Sequence, residues 1–143
     1  MSFDLVVFDA QYLPKPASVL VSWVQNISGS YEDFRFPDDC ECTGLLRKFF
    51  SEIKFYFPWR EEQDVEACDA TTEYEFAKHM IRCCFSWPEE SKATDTVLAL
   101  CWRLKLGVYF ITGSGDVVYP EEVWDVINAK KQTRRPWWKI WRP

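Results

Sequence analysis

A short, largely apolar run opens the chain, and helix-like and strand-like patterns follow it. Residues 3–8 form this run, which ends at Asp9 and predicts a central β-strand buried on both faces. Pro14 and Pro16 end the strand. Helical spacing then separates Leu20, Trp23, Val24 and Ile27, which predicts a helix over residues 16–29 packed against a sheet.

Three further helices are indicated by apolar stripes and by their end signals. Thr43 is a candidate cap for a helix that Pro58 ends, and its stripe comprises Leu46, Phe49, Phe50, Ile53 and Phe57. The third helix opens at Pro88 and is expected to stop at Gly107. A short fourth helix is predicted from Pro120 to about Asn128.

Two hairpins complete the predicted sheet. Residues 80–85 are expected to pair with residues 73–76, and a glycine-containing turn joins residues 108–111 to residues 117–119. We therefore predict an α+β fold with a mixed, mainly antiparallel sheet of four or five strands and helices packed on one face. Residues 1–128 form the single domain, and residues 129–143 form a basic, tryptophan-rich C-terminal tail.

Charge is distributed unevenly along the chain. The net charge is −5, but all 22 acidic residues precede residue 128, whereas six of the 17 basic residues follow it. Two acidic stretches lacking a regular period, residues 31–42 and 59–72, are expected to be surface loops. Such a surface repels nucleic acid and attracts basic proteins.

The N-terminus and the cysteines indicate a reducing compartment. Asp4 interrupts the N-terminal apolar run, no basic leader precedes it, and no run is long enough to span a bilayer, so a cytoplasmic protein is expected. The six cysteines are therefore expected to remain thiols. Their spacing, with one histidine, does not fit a zinc site, and we expect no metal and no cofactor.

The sequence offers little support for catalytic chemistry, and we do not expect an enzyme. His79 is the only histidine, and the neighbouring Cys83 and Cys84 would point to opposite faces of a strand. The glutamate pairs at 89–90 and 121–122 follow prolines in first helical turns, where the helix dipole stabilises negative charge. A small enzyme using His79 stays an alternative.

The tail allows three interpretations. Trp137, Trp138 and Trp141 alternate with basic residues, as in membrane-interface peptides or arms that stack on nucleic-acid strands. The protein would then be a membrane- or nucleic-acid-associated adaptor. In the third interpretation the tryptophans fold back on the acidic domain; we favour this one and expect neither nucleic-acid binding nor stable membrane insertion.

Four segments of the chain form a recognisable set: Met-Ser-Phe-Asp-Leu-Val-Val-Phe-Asp at residues 1–9, Leu46-Arg47-Lys48-Phe49-Phe50 leading to Phe57-Pro58, Phe85-Ser86-Trp87, and Lys105-Leu106-Gly107-Val108-Tyr109-Phe110. Together they resemble a family of small bacterial cytoplasmic proteins similar to immunity proteins of contact-dependent and other polymorphic toxin systems. The resemblance covers about residues 1–120 and brings no catalytic signature. The final helix, the tail and the aromatic-rich loops depart from it.

The resemblance implies a protein that binds the C-terminal domain of a cognate toxin, for which a nuclease is one candidate, and occludes its active or substrate-binding surface. A nuclease domain carries a basic cleft, which the acidic stretches would complement. The predicted charge contacts and aromatic anchors are Glu32, Asp33, Phe34, Phe36, Asp38, Asp39, Trp59, Glu61, Glu62, Asp64 and Glu66.

Overall fold

A computed structural model describes residues 2–12, 17–27, 44–60, 72–77 and 79–133. The elements follow in the order β1 (Ser2–Phe8), α1 (Ala17–Ile27), α2 (Gly44–Tyr56), β2 (Glu73–Ala77), β3 (Met80–Ser86), α3 (Glu90–Leu104), β4 (Gly107–Phe110), β5 (Val117–Val118) and α4 (Pro120–Thr133). A short 3-10 turn, Trp87–Glu89, leads into α3. The predicted α+β class and both predicted hairpins are confirmed.

The strand β1 lies at the centre of a five-stranded sheet with the order β2-β3-β1-β4-β5. Leu5 lies opposite Cys83 of β3 on one side and opposite Phe110 of β4 on the other. Both faces of β1 are buried from Leu5 to Phe8, as the apolar run predicted. A continuous apolar run suits this position because neither face of a central covered strand meets water.

The prediction of a mixed sheet is wrong for the described strands, since every pair of neighbouring strands is antiparallel. The connection through α3 does join two parallel strands, β3 and β4. These strands are not neighbours because β1 lies between them and is antiparallel to both. The only parallel pairing among the described residues is an isolated bridge between Trp59 and Thr72.

Helices cover both faces of the sheet, and the prediction that they share one face is therefore wrong. Phe3, Leu5 and Val7 belong to the larger core cluster, together with residues of α2, α3 and α4. Val6 and Phe8 point the other way and pack with Leu20 and Val24 of α1. Because β1 is apolar on both sides, a one-sided layer of helices would leave one apolar side in water.

The helix α3 ends earlier than predicted. Its last residue is Leu104, and Lys105 takes the left-handed conformation with φ = 59°, where Gly107 was expected to provide the stop. The Leu106 N–H donates to the Cys101 carbonyl oxygen at 2.9 Å, which completes a Schellman-type end. Gly107 instead packs closely against the Phe8 ring, and a Cβ added at Gly107 would overlap that ring.

The helix α4 is longer than predicted and continues to Thr133. The predicted domain boundary at residue 128 therefore falls inside a helix. The Lys130 ammonium lies 3.9 Å from the Asp95 carboxylate of α3, so the end of α4 is in contact with the domain. The rest of the predicted tail, residues 134–143, lies outside the described residues.

Candidate protein-binding surface

Exposed aromatic side chains gather on the helices that cover the larger core. Phe55 is 82% exposed and Tyr56 52% exposed on α2, while Trp102 of α3 is 51% exposed and Trp124 of α4 44% exposed. We call these four residues, together with Arg103, the aromatic face. Isolated apolar side chains are ordinary at protein surfaces, but aromatic groups collected on neighbouring elements mark interaction sites.

The two tryptophans lie along the seam between α3 and α4. Trp102 follows the buried Cys101, and Trp124 follows the buried Val123, so each lies about 100° around its helix from a core position. Their ring centroids are 5.0 Å apart with an interplanar angle of 35°. The Lys131 ammonium is 5.9 Å from the Trp124 ring centroid, within cation–π range.

The other half of the aromatic face lies between α2 and α3. The rings of Phe55 and Tyr56 meet edge to face with centroids 5.5 Å apart. They border a shallow groove of about 330 Å³, whose other walls include Leu100 and Arg103. The Arg103 guanidinium pairs with the Glu52 carboxylate across the two helices. Arg103 also adjoins Trp102 in α3, so it connects the two halves of the surface.

The composition of this surface matches that of energetically important interface centres. Tryptophan, tyrosine and arginine are the residue types most enriched among side chains whose truncation costs a complex at least ~2 kcal/mol. The exposed ion pair of Arg103 and Glu52 contributes only about 0–1 kcal/mol to folding, because water screens it. Arg103 can therefore change partners at low cost when another protein arrives.

Ten of the eleven predicted site residues lie outside the described part of the chain. These are Glu32, Asp33, Phe34, Phe36, Asp38, Asp39, Glu61, Glu62, Asp64 and Glu66. Among the predicted site residues, the structure describes only Trp59. It also describes Arg60 and Thr72, where the second acidic stretch leaves and re-enters the described part of the chain.

Trp59 was predicted as an aromatic anchor for the partner, but it is a core residue of the domain. It is 6% exposed and packs edge to face against Phe50, with ring centroids 5.6 Å apart, and against Phe76 at 5.9 Å. Its position next to a polar stretch suggested a loop. The aromatic residues of α2 and β2 instead form a socket for the indole, which only the tertiary packing creates.

The ends of the second acidic stretch are held firmly by this core. The Arg60 N–H donates to the Thr72 carbonyl oxygen at 3.0 Å, and the Thr72 N–H donates to the Pro58 carbonyl oxygen at 2.9 Å. The buried Tyr74 hydroxyl donates to the Phe57 carbonyl oxygen at 2.6 Å. Burial raises the pKa of Tyr74 well above its usual value and keeps this donor protonated. Residues 61–71 therefore depart from a rigid base.

This base lies next to the aromatic face along the chain. Arg60 follows Tyr56 by four residues, a separation of at most ~14 Å even for extended backbone. The intervening Phe57 N–H still bonds the Ile53 carbonyl oxygen at 2.8 Å, which keeps the chain close to the end of α2. The second acidic stretch therefore leaves the described body within ~14 Å of Tyr56 along the chain.

The thiols near His79 are unsuited to act as nucleophiles. Cys83 is buried in the larger core, whereas Cys84 lies on the opposite face of β3, as predicted. Burial raises the pKa of Cys83 well above its usual value, and it raises the pKa of Cys84 to about 12. His79 lies in the turn between β2 and β3, where its ring stacks on Tyr12 with centroids 4.3 Å apart.

The glutamates that follow prolines act at helix starts, as expected from their positions. Glu121 and Glu122 lie in the first turn of α4, and Glu90 lies in the first turn of α3. The Glu122 carboxylate accepts the Tyr119 N–H at 3.2 Å. This hydrogen bond satisfies the Tyr119 N–H, one of the backbone donors that a helix leaves unpaired at its start.

The described residues include neither a candidate metal site nor a membrane-spanning helix. No group of three or more His, Cys, Asp or Glu side chains in residues 2–12, 17–27, 44–60, 72–77 and 79–133 is placed to hold a metal ion. None of the helices within those ranges is both long enough and apolar enough to cross a bilayer.

No family model, curated protein or solved structure matches the chain. The site must therefore be judged from its own residues.

Sequence reasoning missed the aromatic face. The available signal was a large aromatic residue next to, and not within, the apolar stripe of a helix, as at Phe55, Trp102 and Trp124. That signal alone does not separate an exposed ring from a ring covered by a neighbouring helix. The packing of α2, α3 and α4 decides which of these rings stay in contact with water.

Proposed function

We propose that this chain is an immunity protein that binds the C-terminal domain of a cognate bacterial toxin and blocks its active or substrate-binding surface. The aromatic face carries the proposal, since it places Trp102, Trp124 and Arg103 on one exposed helical surface. The resemblance of the sequence to immunity proteins supports the biological role. The toxin domain is proposed to be basic and to act in the cytoplasm.

The two kinds of surface have different tasks in this proposal. Negative charge on residues 61–71 steers a basic partner towards the protein and raises the rate of encounter. The neighbouring aromatic rings then lose water against the partner and supply most of the affinity. A stable complex buries roughly 800 Å² on each protein, and in this proposal the aromatic face and the acidic stretch share that contact area.

The inhibition itself needs no chemistry from this chain. A protein seated over a basic cleft excludes a polyanionic substrate by occupying its volume and by presenting competing negative charge. Such an inhibitor is expected to bind without turnover. The packed base around Trp59 and Tyr74 supports this role, because a chain segment anchored at both ends has less conformational freedom to lose on binding.

Co-expression with the toxin domain encoded beside this gene tests the proposal. We expect the full chain to restore growth and to bind the purified domain in calorimetry, with an affinity that falls as ionic strength rises. Trp102→Ala and Trp124→Ala are each expected to weaken binding at least tenfold. Tyr12→Ala is the matched control, because Tyr12 is 53% exposed but lies in the turn after β1.

A second set of variants tests the charge. Replacing Glu61, Glu62, Asp64 and Glu66 by their amides is expected to slow association and to remove most of its salt dependence. Circular dichroism verifies that each variant keeps its fold. The proposal is abandoned if the chain neither protects cells nor binds the adjacent gene product, or if Tyr12→Ala weakens binding as much as the two tryptophan variants do.

A further inference from the structure

An apolar groove opens between α3, α4 and the turn that joins β4 to β5. Its volume is about 280 Å³, and its floor includes Phe3, Leu98, Phe110 and Val118. Glu90 and Asp116 stand at its polar edge. The groove is distinct from the aromatic face, which lies at the opposite ends of α3 and α4.

We propose that the C-terminal tail, residues 134–143, folds back over this groove and inserts the indole of Trp137 or Trp138. This inference concerns a different surface from the toxin-binding proposal and does not depend on it.

The direction of α4 brings the tail to the groove. Lys130 lies 3.9 Å from Asp95, near the start of α3, whereas Trp124 contacts Trp102 near its end, so the two helices are antiparallel. The end of α4 therefore lies beside the first turns of α3, where Glu90 borders the groove. Lys130 itself lines the groove, three residues before α4 ends.

The length of the tail suits this return. From Lys130 to Thr133 the helix rises only ~4.5 Å. Four extended residues from Thr133 to Trp137 then span at most ~14 Å, enough to turn back by one or two helical turns. The two adjacent tryptophans are the first large apolar residues after the helix, and either one can reach an opening lined by Lys130.

The volume and the lining of the groove suit an aromatic ring. An apolar cavity of ~150 Å³ in a protein is large enough to hold benzene, so about 280 Å³ accommodates the larger indole. The floor supplies aromatic and branched aliphatic contacts. The carboxylates at the edge can accept the indole N–H, the polar group that a buried tryptophan must satisfy.

Charge favours the same contact. The tail contains Arg134, Arg135, Lys139 and Arg142 and no acidic residue. The groove edge presents the carboxylates of Glu90 and Asp116, while its own cation, Lys130, is paired with Asp95. Placing the basic tail here brings opposite charges together at short range.

Two glycines allow a sharp test of this placement. Gly113 lines the groove, and a Cβ added to it would lie 3.8 Å from the Phe3 ring, an ordinary contact distance. Gly113→Leu therefore fills the groove without forcing the backbone. Gly44→Leu is the matched control, because a Cβ at Gly44, the first residue of α2, meets nothing within 4 Å. Asp116→Lys tests the charge of the edge independently.

The experiment uses the full chain labelled with 5-fluorotryptophan and observed by fluorine NMR. Single Trp→Phe variants assign the three tail resonances. We expect the Trp137 or Trp138 resonance to show a shift away from free 5-fluorotryptophan and a reduced solvent-isotope effect. Gly113→Leu and Asp116→Lys should each move that resonance to the solvent-exposed position, whereas Gly44→Leu should leave it unchanged. Circular dichroism verifies the fold of every variant.

Three results would overturn the inference. The first is a wild-type protein in which all tail resonances are solvent-exposed. The second is a protected tail resonance that both groove variants leave in place, which would locate the tail elsewhere on the domain. The third is protection that disappears on dilution, which would assign the groove to the tail of a second copy.

Discussion

Removal of the Trp59 side chain should be among the most destabilising single substitutions in this domain. Trp59→Ala deletes an indole that is 6% exposed and that packs edge to face on Phe50 and Phe76. A tryptophan buries about 200 Å², which at ~25 cal/mol per Å² corresponds to an upper value of about 5 kcal/mol. Truncations of buried aromatic residues generally cost ~3–5 kcal/mol, so we expect about 4 kcal/mol.

The loss should be measured by urea unfolding at 25 °C, followed by far-UV circular dichroism, because the substitution removes a fluorophore. With a slope near ~2 kcal/mol per M, the midpoint should fall by about 2 M. Trp124→Ala is the control. That side chain is 44% exposed, so its removal should cost only about 1 kcal/mol, mainly through the lost contact with Trp102.

The comparison also bears on binding. If Trp59→Ala costs less than about 1 kcal/mol, the indole is not part of the core and the prediction that it is an aromatic anchor for the partner regains its basis. If the two variants cost the same, burial does not distinguish the two tryptophans and the assignment of Trp124 to the aromatic face is wrong.

Four further predictions concern the backbone and the titrating groups. Lys105→Gly should stabilise the fold by about 1 kcal/mol in urea unfolding, because Lys105 has φ = 59°. Gly107→Ala should destabilise it by more than ~2 kcal/mol, since the new Cβ would overlap the Phe8 ring; a smaller loss would contradict that contact. Burial raises the pKa of Glu75 above 4.5, so the stability supplied by its neutral form is lost as the pH rises through the folded-state pKa. The urea midpoint of Glu75→Gln should therefore increase relative to that of the wild type between pH 3.5 and 7. A difference between the two midpoints that stays constant with pH would refute this. At pH 8.5, Cys84, with its pKa raised to about 12, should react with iodoacetamide on the order of a thousandfold more slowly in the native than in the urea-unfolded protein, as quantified by peptide mapping.

Local pattern explains the parts of the structure that were predicted. An apolar run bounded by Asp9 specifies a strand covered on both sides, and β1 occupies that position. The apolar stripe of α2 and the glycine-containing turn between β4 and β5 each contain enough local information to define their element. These features depend on residues close together in the chain, whose spacing is visible in the sequence.

The candidate surface was predicted less well, for a different reason. The acidic stretches were chosen by charge, and most of their residues lie outside the described chain. Trp59 was assigned to the surface because its neighbours in sequence are polar, although its neighbours in space are aromatic. The aromatic face went unnoticed because exposure of Trp102 and Trp124 depends on how far α3 and α4 approach one another.

The sequence by itself determined the strands, the helices, the hairpins and the uneven distribution of charge, because each follows from periodicity, turn chemistry or simple composition. Only the tertiary structure decided that α1 lies on the opposite side of the sheet from the other helices, that β1 separates β3 from β4, and that one tryptophan is buried while two others remain exposed. An amphipathic pattern specifies that a face must be covered, but the partner that covers it is chosen by contacts between distant parts of the chain.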